Sequence, residues 1–110
     1  MSEKPSLLLR KKETSLYITA LQVKEGGADA MVSAGNTGGV LVAALFVVGR
    51  IKGVERGAIA GKIPSKNGYT ILIDAGANAE VRAEHLRDFG IMGYEYARFL
   101  GREPVKVGLL

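Results

Sequence analysis

Residues 28–39 of this 110-residue chain read ADAMVSAGNTGG. The first half, residues 28–33, is short and apolar and directly follows Gly26 and Gly27, which is typical of a buried strand. The second half is small and polar and leads into residues 37–50, which are apolar nearly all round and predict a helix covered on more than one side. A strand, a tight loop and a helix are therefore expected in succession.

The segments on either side predict further helices and strands. Residues 14–25 and 83–100 have apolar positions at helical spacing, and glycines at 26 and 101 supply the stops. Residues 57–64 and 69–74 look like strands joined by Ser65-Lys66-Asn67-Gly68, so that a hairpin is possible. Residues 105–110 read as a last strand. Alternating strands and helices place the chain in the α/β class, with a mainly parallel sheet and flanking helices.

Composition narrows the class of protein. The chain is 47% hydrophobic and 24% charged with 15 glycines, which indicates one globular segment over residues 1–110. The absence of cysteine excludes disulfides and thiolate metal sites, and one histidine among scattered carboxylates gives poor metal spacing. We therefore expect no metal and no cofactor. The apolar run at residues 40–48 is too short to span a bilayer and no signal peptide is visible, so a cytoplasmic location is expected.

The net charge of +4 favours an acidic partner. Nucleic acid, an anionic lipid surface, an acidic carrier protein and a small phosphate compound all fit that sign. Nucleic acid fits least, because the aromatic residues are not interleaved with the basic ones as a stacking platform requires.

The loop Gly35-Asn36-Thr37-Gly38 is the first candidate site. It lies where a strand is expected to end and a helix to begin, so backbone N–H groups and the positive end of the helix dipole would point at a ligand. Small residues would let a phosphate approach the backbone. An ordinary Asn or Thr helix cap explains the same residues equally well.

A second junction repeats this chemistry. Asp74, Gly76 and Asn78 follow the strand of residues 69–74, and if the strands are near neighbours Asn78 and Asn36 would face one crevice as neutral donors to an oxyanion. The alternative is that Asp74 closes a turn and Asn78 takes a left-handed turn conformation.

His85 and Lys62 are further candidates. His85, the only histidine, lies in the first turn of the helix expected from residue 83, where it would act as a neutral donor or a base, although an exposed histidine without a role is commoner. Lys62 lies in an otherwise apolar strand, either as a solvent-facing lysine on an edge or as a phosphate-binding cation.

With these residues in view, the chain resembles the PlsX family of bacterial phosphate acyltransferases. The likeness rests on ADAMVSAGNTGG (28–39), VGRIKGVERGAIAG (48–61), ILIDAGANAE (71–80), EHL (84–86), IMGYEYA (91–97) and VGLL (107–110), in that order. It covers about residue 10 to residue 110, and it is the combination of motifs that is specific.

The resemblance implies transfer of a long acyl chain from acyl carrier protein to inorganic phosphate, giving acyl phosphate for phospholipid synthesis. It implies a fold similar to isopropylmalate dehydrogenase and phosphotransacetylase, a homodimer, and peripheral association with the membrane. The chain would be the central part of a longer enzyme.

Residue by residue, the resemblance implies catalytic roles for four polar side chains and phosphate binding by residues of both loops, and Lys62 joins the phosphate-binding set on its charge alone. The catalytic set is Asn36, Asp74, Asn78 and His85, and the phosphate-binding set is Gly35, Asn36, Thr37, Gly38, Gly76, Asn78 and Lys62. Arg82 and Arg87 are expected to steer the acidic carrier protein, an expectation based on charge.

The family commonly has a neutral residue at position 62, so Lys62 is a departure from its pattern. Two alternatives stay open. One is another enzyme of the related fold that uses coenzyme A or a nicotinamide dinucleotide, and the other is a non-catalytic anion-binding α/β fragment.

Overall fold

The computed structural model describes residues 12–76 and 78–110, which divide into two compact units after Gly57. The first unit contains helix α1 (Ser15–Lys24), helix α2 (Thr37–Ala43) and a π-helical turn (Ala44–Val48). The second contains strands β1 (Ala60–Ser65) and β2 (Gly68–Ile73) and helix α3 (Ala83–Phe99).

Helix α1 confirms the prediction for residues 14–25. The hydroxyl oxygen of Thr14 accepts a hydrogen bond from the Tyr17 N–H at 3.3 Å, which caps the start of the helix. Gly26 ends it with a φ of 75°, a left-handed conformation that glycine adopts without a steric penalty.

The apolar helix that follows the candidate loop is confirmed as far as Val48. Its last turn widens into a π-helix, in which the Gly49 N–H donates to the Ala44 carbonyl at 2.9 Å. Ala43 and Val47 pack with Ala20 of α1 to form the core of the first unit. Phe46 is 62% exposed, so the expected cover on more than one side is not seen among the described residues.

The hairpin is confirmed as an antiparallel pair. Ser65 pairs with Gly68 at one end and Ala60 with Ile73 at the other, so Lys66 and Asn67 form the turn. An Asn-Gly hairpin usually has a type I′ turn, in which both central residues have positive φ. Here the central residues Lys66 and Asn67 do not have positive φ, and Gly68, which follows them, has a φ of 120°. The turn therefore lies one residue earlier than the Asn-Gly signal indicates.

The predicted parallel sheet is not confirmed. Among the described residues, the only sheet is the antiparallel hairpin, and residues 28–33 and 105–110 form no strand. A strand needs backbone partners along its edge, and no described segment pairs with either stretch. Val32 and Leu110 are accordingly almost fully exposed. The described chain thus combines helices with a small sheet, without the predicted parallel arrangement.

Helix α3 packs on the hairpin and matches its predicted range closely. Its buried side chains are His85, Phe89 and Ala97, and Gly93 allows close approach to Ile73 of β2. Gly101, with a φ of 79°, ends the helical segment as expected. None of the helices in the described ranges is long and apolar enough to cross a membrane.

Alanine substitutions at two glycines of α3, one tightly packed and one loosely packed, test how closely the helix approaches the hairpin. A Cβ added at Gly93 would lie 2.9 Å from Ile73 Cγ1, whereas one at Gly90 would lie 3.8 Å from Val107 Cγ1. Alanine favours a helix by about 1 kcal/mol over glycine at either position, but overpacking costs about 1–3 kcal/mol at the tight one. We expect Gly90→Ala to raise the urea midpoint and Gly93→Ala to lower it. Equal gains in both variants would contradict the close packing.

Candidate functional site

The first candidate loop ends in a helix cap made by Asn36. With extended backbone angles (φ −68°, ψ 142°), Asn36 places its Oδ1 where it accepts the Gly39 N–H at 2.6 Å. Its carbonyl oxygen accepts the Val40 N–H at 3.2 Å. One turn earlier, the Ser33 hydroxyl accepts the Gly35 N–H at 3.1 Å, a contact that the sequence reasoning missed. The cap interpretation of the loop is therefore confirmed.

The cap leaves several donors at the same helix end. No acceptor for the N–H groups of Thr37 and Gly38 occurs among the described residues. Since Oδ1 of Asn36 is engaged in the cap, the side chain faces any ligand with its Nδ2 amide. Gly35, Asn36 and Thr37 are exposed, and the loop borders an open cleft whose other wall is the start of α1. Capping and anion binding are thus compatible here.

The second candidate loop is organised by the Asp74 carboxylate. Oδ1 of Asp74 accepts two hydrogen bonds from Asn78, one from the backbone N–H at 3.2 Å and one from Nδ2 at 2.9 Å. The Gly76 N–H donates to the Asp74 carbonyl at 2.7 Å, and the Asp74 N–H donates to the Ile59 carbonyl at 2.9 Å. Asp74 thus joins the end of β2 to both the loop and the residue before β1.

The left-handed residues of this loop are Asp74, with a φ of 61°, and Gly76, with a φ of 83°. Asn78 does not have a positive φ, so the alternative in which Asn78 adopts this conformation is wrong. The expectation that Asp74 closes a turn is confirmed. Aspartate tolerates left-handed backbone better than most residues because its short side chain bonds locally, as it does here to Asn78.

His85 is buried, with 2% of its surface exposed, and so the expectation of an exposed histidine is wrong. Nδ1 lies 3.1 Å from the Arg82 backbone nitrogen and Nε2 lies 3.2 Å from the Arg82 guanidinium. Nδ1 therefore accepts the hydrogen bond from the Arg82 N–H, which holds the ring against the start of α3. His85 takes the position that Glu or Gln holds in a capping box.

The remaining predicted residues are exposed cations of the second unit. Lys62 projects from β1 with its Nζ 4.9 Å from the centroid of the Tyr69 ring. Arg82 contacts His85, and the Arg87 guanidinium lies 2.9 Å from the Asp88 carboxylate. The phosphate-binding role of Lys62 and the carrier-binding roles of Arg82 and Arg87 stay predictions.

The candidate residues are divided between the units. Gly35, Asn36, Thr37 and Gly38 belong to the first unit, and the others belong to the second. The shared crevice expected for Asn36 and Asn78 stays a prediction.

Comparison with known proteins identifies the chain's relatives. A family described as fatty acid synthesis protein matches residues 1–110. A phosphate acyltransferase of Pseudothermotoga lettingae is 54% identical over 110 residues, which is all of this chain and 34% of that protein. A phosphate acyltransferase of Fervidobacterium nodosum is 56% identical over the whole chain and 33% of its own length. The chain spans about a third of the length of these curated relatives.

Substitutions at position 74 can distinguish the stability that comes from the Asp74 hydrogen bonds from the cost of its left-handed backbone. Asp74→Ala and Asp74→Gly both remove the acceptor for Asn78, but only alanine incurs the left-handed backbone cost of about 1–2 kcal/mol. We expect chemical denaturation to show Asp74→Ala less stable than Asp74→Gly by about 1 kcal/mol, because glycine's greater unfolded-state entropy reduces the difference. Asp74→Asn keeps an acceptor and should lie closest to the parent. Equal stabilities for Ala and Gly would contradict the left-handed assignment.

Variants of His85 test whether the ring serves as a cap. His85→Gln keeps a side-chain acceptor at the third helical position, whereas His85→Ala removes the acceptor of the part-buried bond from the Arg82 N–H, at a cost of about 0.5–2 kcal/mol. We expect thermal unfolding followed by circular dichroism to place His85→Gln well above His85→Ala. Equally large losses would mean that the ring stabilises the chain by packing alone.

Proposed function

This chain belongs to the fatty acid synthesis protein family, and we propose that it forms the phosphate-binding core of an acyltransferase. The complete enzyme would move a long-chain acyl group from acyl carrier protein to inorganic phosphate, giving acyl phosphate for phospholipid synthesis. The observation that carries the proposal is the match over the entire chain to relatives named phosphate acyltransferase. The donor-rich loop at the start of α2 supports it.

In this proposal the first loop binds the nucleophile. Thr37 and Gly38 offer backbone N–H groups, Asn36 offers its Nδ2 amide, and Gly35 lets the anion come close. These neutral donors hold phosphate without cancelling its charge, so the oxygen that attacks stays electron-rich. Binding phosphate against the thioester replaces a bimolecular encounter with a positioned one.

The bonds that change are few. A phosphate oxygen attacks the thioester carbonyl carbon, an oxyanion forms, and the carbon–sulfur bond then breaks. The carrier thiolate leaves and takes its proton from solvent, and because a thiolate is only a weak base it needs little acid assistance to leave. Donors at the oxyanion would supply most of the rate gain.

The second loop has a supporting part in this scheme. We assign Asp74 the task of holding Gly76 and Asn78 in place, because its carboxylate already accepts two Asn78 hydrogen bonds and a bare carboxylate would repel phosphate. Asn78 and the Gly76 backbone would then contact the oxyanion or phosphate. His85 would orient the start of α3 by accepting the Arg82 N–H, and Lys62 would add attraction for anions.

The larger assembly is also part of the proposal. The relatives are about three times as long as this chain, and we infer that their remaining length supplies strands to pair with residues 28–33 and 105–110. That pairing would build the mainly parallel sheet of the isopropylmalate dehydrogenase and phosphotransacetylase type. The resemblance also implies that the complete enzyme is a homodimer and associates peripherally with the membrane.

Substitution of Asn36 tests phosphate binding directly. Asn36→Asp keeps the Oδ1 acceptor for the Gly39 N–H but removes the Nδ2 donor and places a negative charge against phosphate. We expect amide NMR titration of the 110-residue chain to show saturable phosphate shifts at residues 36–39 in the parent. The Asn36→Asp variant should bind phosphate at least about tenfold more weakly while keeping its fold.

Sulfate and a nicotinamide dinucleotide serve as competing ligands. Preference for the dinucleotide would favour a dehydrogenase of the related fold over the acyltransferase.

Transfer itself is best measured in a complete enzyme. The chain can be grafted in place of the matching third of the Pseudothermotoga lettingae enzyme, and acyl phosphate formation followed from an acyl carrier thioester. We expect Asn36→Asp to lower the rate by at least about 100-fold, because it removes a phosphate donor and sets a carboxylate against the anion that must be positioned for attack. An Asn36→Asp graft that works at nearly the parent rate would refute the assignment.

A further inference from the structure

Three side chains of the second unit form what we call the basic cluster: Lys62, Tyr69 and Arg102. Lys62 Nζ lies 4.9 Å from the Tyr69 ring centroid, and the Arg102 Cζ lies 4.1 Å from the same point. The strand register places Lys62 opposite Ile71, which makes Tyr69 its diagonal neighbour on the same face of the hairpin. Arg102 arrives just after the Gly101 turn, with its N–H bonded to the Ala97 carbonyl at 3.0 Å.

The charges of this cluster are ordered but not neutralised. In the described ranges no carboxylate lies within ion-pair distance of Lys62 or Arg102. An aromatic ring attracts a cation through its quadrupole and leaves the positive charge in place. Two cations over one half-buried ring therefore present a fixed pair of positive charges next to the hairpin turn, where Lys66 adds a third.

The arginines on the outer surface of α3 differ in this respect. The Arg87 guanidinium lies 2.9 Å from Asp88, and Arg98 lies 3.5 Å from Glu95 and 3.6 Å from Glu103. Their positive charges are largely offset by these carboxylates. The basic cluster is thus the stronger attractor for an acidic partner, ahead of the Arg87 position that charge alone indicated.

We propose that the basic cluster docks an acidic protein surface, which is that of acyl carrier protein if the proposed function holds. This inference rests on the proposed function for the identity of the partner. A guanidinium that lies over a ring keeps its N–H edge open, and that edge fits a carboxylate through two parallel hydrogen bonds. Lys62 then receives a neighbouring carboxylate as a point charge.

The size of the cluster favours a protein over a membrane. Binding to an anionic bilayer typically uses four to eight clustered lysines and arginines or an amphipathic helix. The cluster offers two fixed cations and one more at the turn, a number suited to a few carboxylates in defined positions. Contacts to Tyr69 also reduce the entropy that Lys62 and Arg102 lose on binding.

The test measures binding of acyl carrier protein to the 110-residue chain by fluorescence anisotropy at several salt concentrations. We expect the double variant Lys62→Gln/Arg102→Gln to raise Kd about tenfold and to flatten the salt dependence. Lys24→Gln/Lys52→Gln removes the same charge from exposed positions of the first unit, and it should change Kd less than about twofold. Circular dichroism checks that each variant keeps its fold.

Two variants of the ring test the geometry itself. Tyr69→Leu keeps both charges but removes the platform, and we expect Kd to rise about three- to fivefold. Tyr69→Phe keeps the ring and should bind like the parent. A purely electrostatic surface would bind equally well with leucine, an outcome that would overturn the fixed arrangement.

Other outcomes decide against the proposal as a whole. Absence of carrier binding by the parent chain, or equal losses in the double variant and its charge-matched control, overturns it. The proposal is also overturned if the double variant loses binding to vesicles of phosphatidylglycerol and phosphatidylcholine but binds the carrier as the parent does. That result would assign the cluster to the membrane. Failure of the proposed function has a different signature, because a grafted enzyme can lack acyl transfer while the chain still binds the carrier through Lys62 and Arg102.

Discussion

The requirement that backbone N–H groups find acceptors where helices and strands end governs most of this structure. Asn36 accepts the Gly39 N–H at the start of α2, and His85 faces the Arg82 N–H at the start of α3. Asp74 accepts the Asn78 N–H after β2, and Thr14 accepts the Tyr17 N–H at the start of α1. Loss of a side-chain cap costs about 0.5–2 kcal/mol. Each of these side chains therefore has a structural role before any chemistry is considered.

Three of these four acceptors are also candidate site residues, and the overlap has a physical basis. A cap consumes one acceptor oxygen and orients the rest of the side chain toward the exposed helix end. When the cap is an asparagine, the part left over is an N–H donor, which suits an anion. An aspartate would cap equally well but would present negative charge at the same place. Asn36 is thus the residue through which a capped helix is compatible with the proposed phosphate ligand.

Local signals in the sequence predict the local parts of the fold. Gly26 and Gly101 mark helix ends because glycine alone reaches their φ values without cost, and Ser65 to Gly68 mark the hairpin. Strands are different, because pairing depends on residues far along the chain. Residues 28–33 carry a strand pattern but have no partner among the described residues. The pattern of apolar residues indicates that a segment is buried, but it does not identify the strand that would pair with it.

The same distinction between local and distant contacts explains the candidate site. The caps at Asn36 and His85 involve residues three positions apart, and the sequence placed both residues correctly at their helix starts. One alternative placed left-handed backbone at Asn78 because asparagine tolerates that conformation, yet Asp74 adopts it and accepts a hydrogen bond from Asn78. The contact of Arg102 with Tyr69 joins the end of α3 to the hairpin, so no spacing rule could reveal it. Charge alone pointed to Arg82 and Arg87. Only the geometry shows that Asp88 offsets Arg87, and that Lys62 and Arg102 lie beside an aromatic ring instead of a carboxylate.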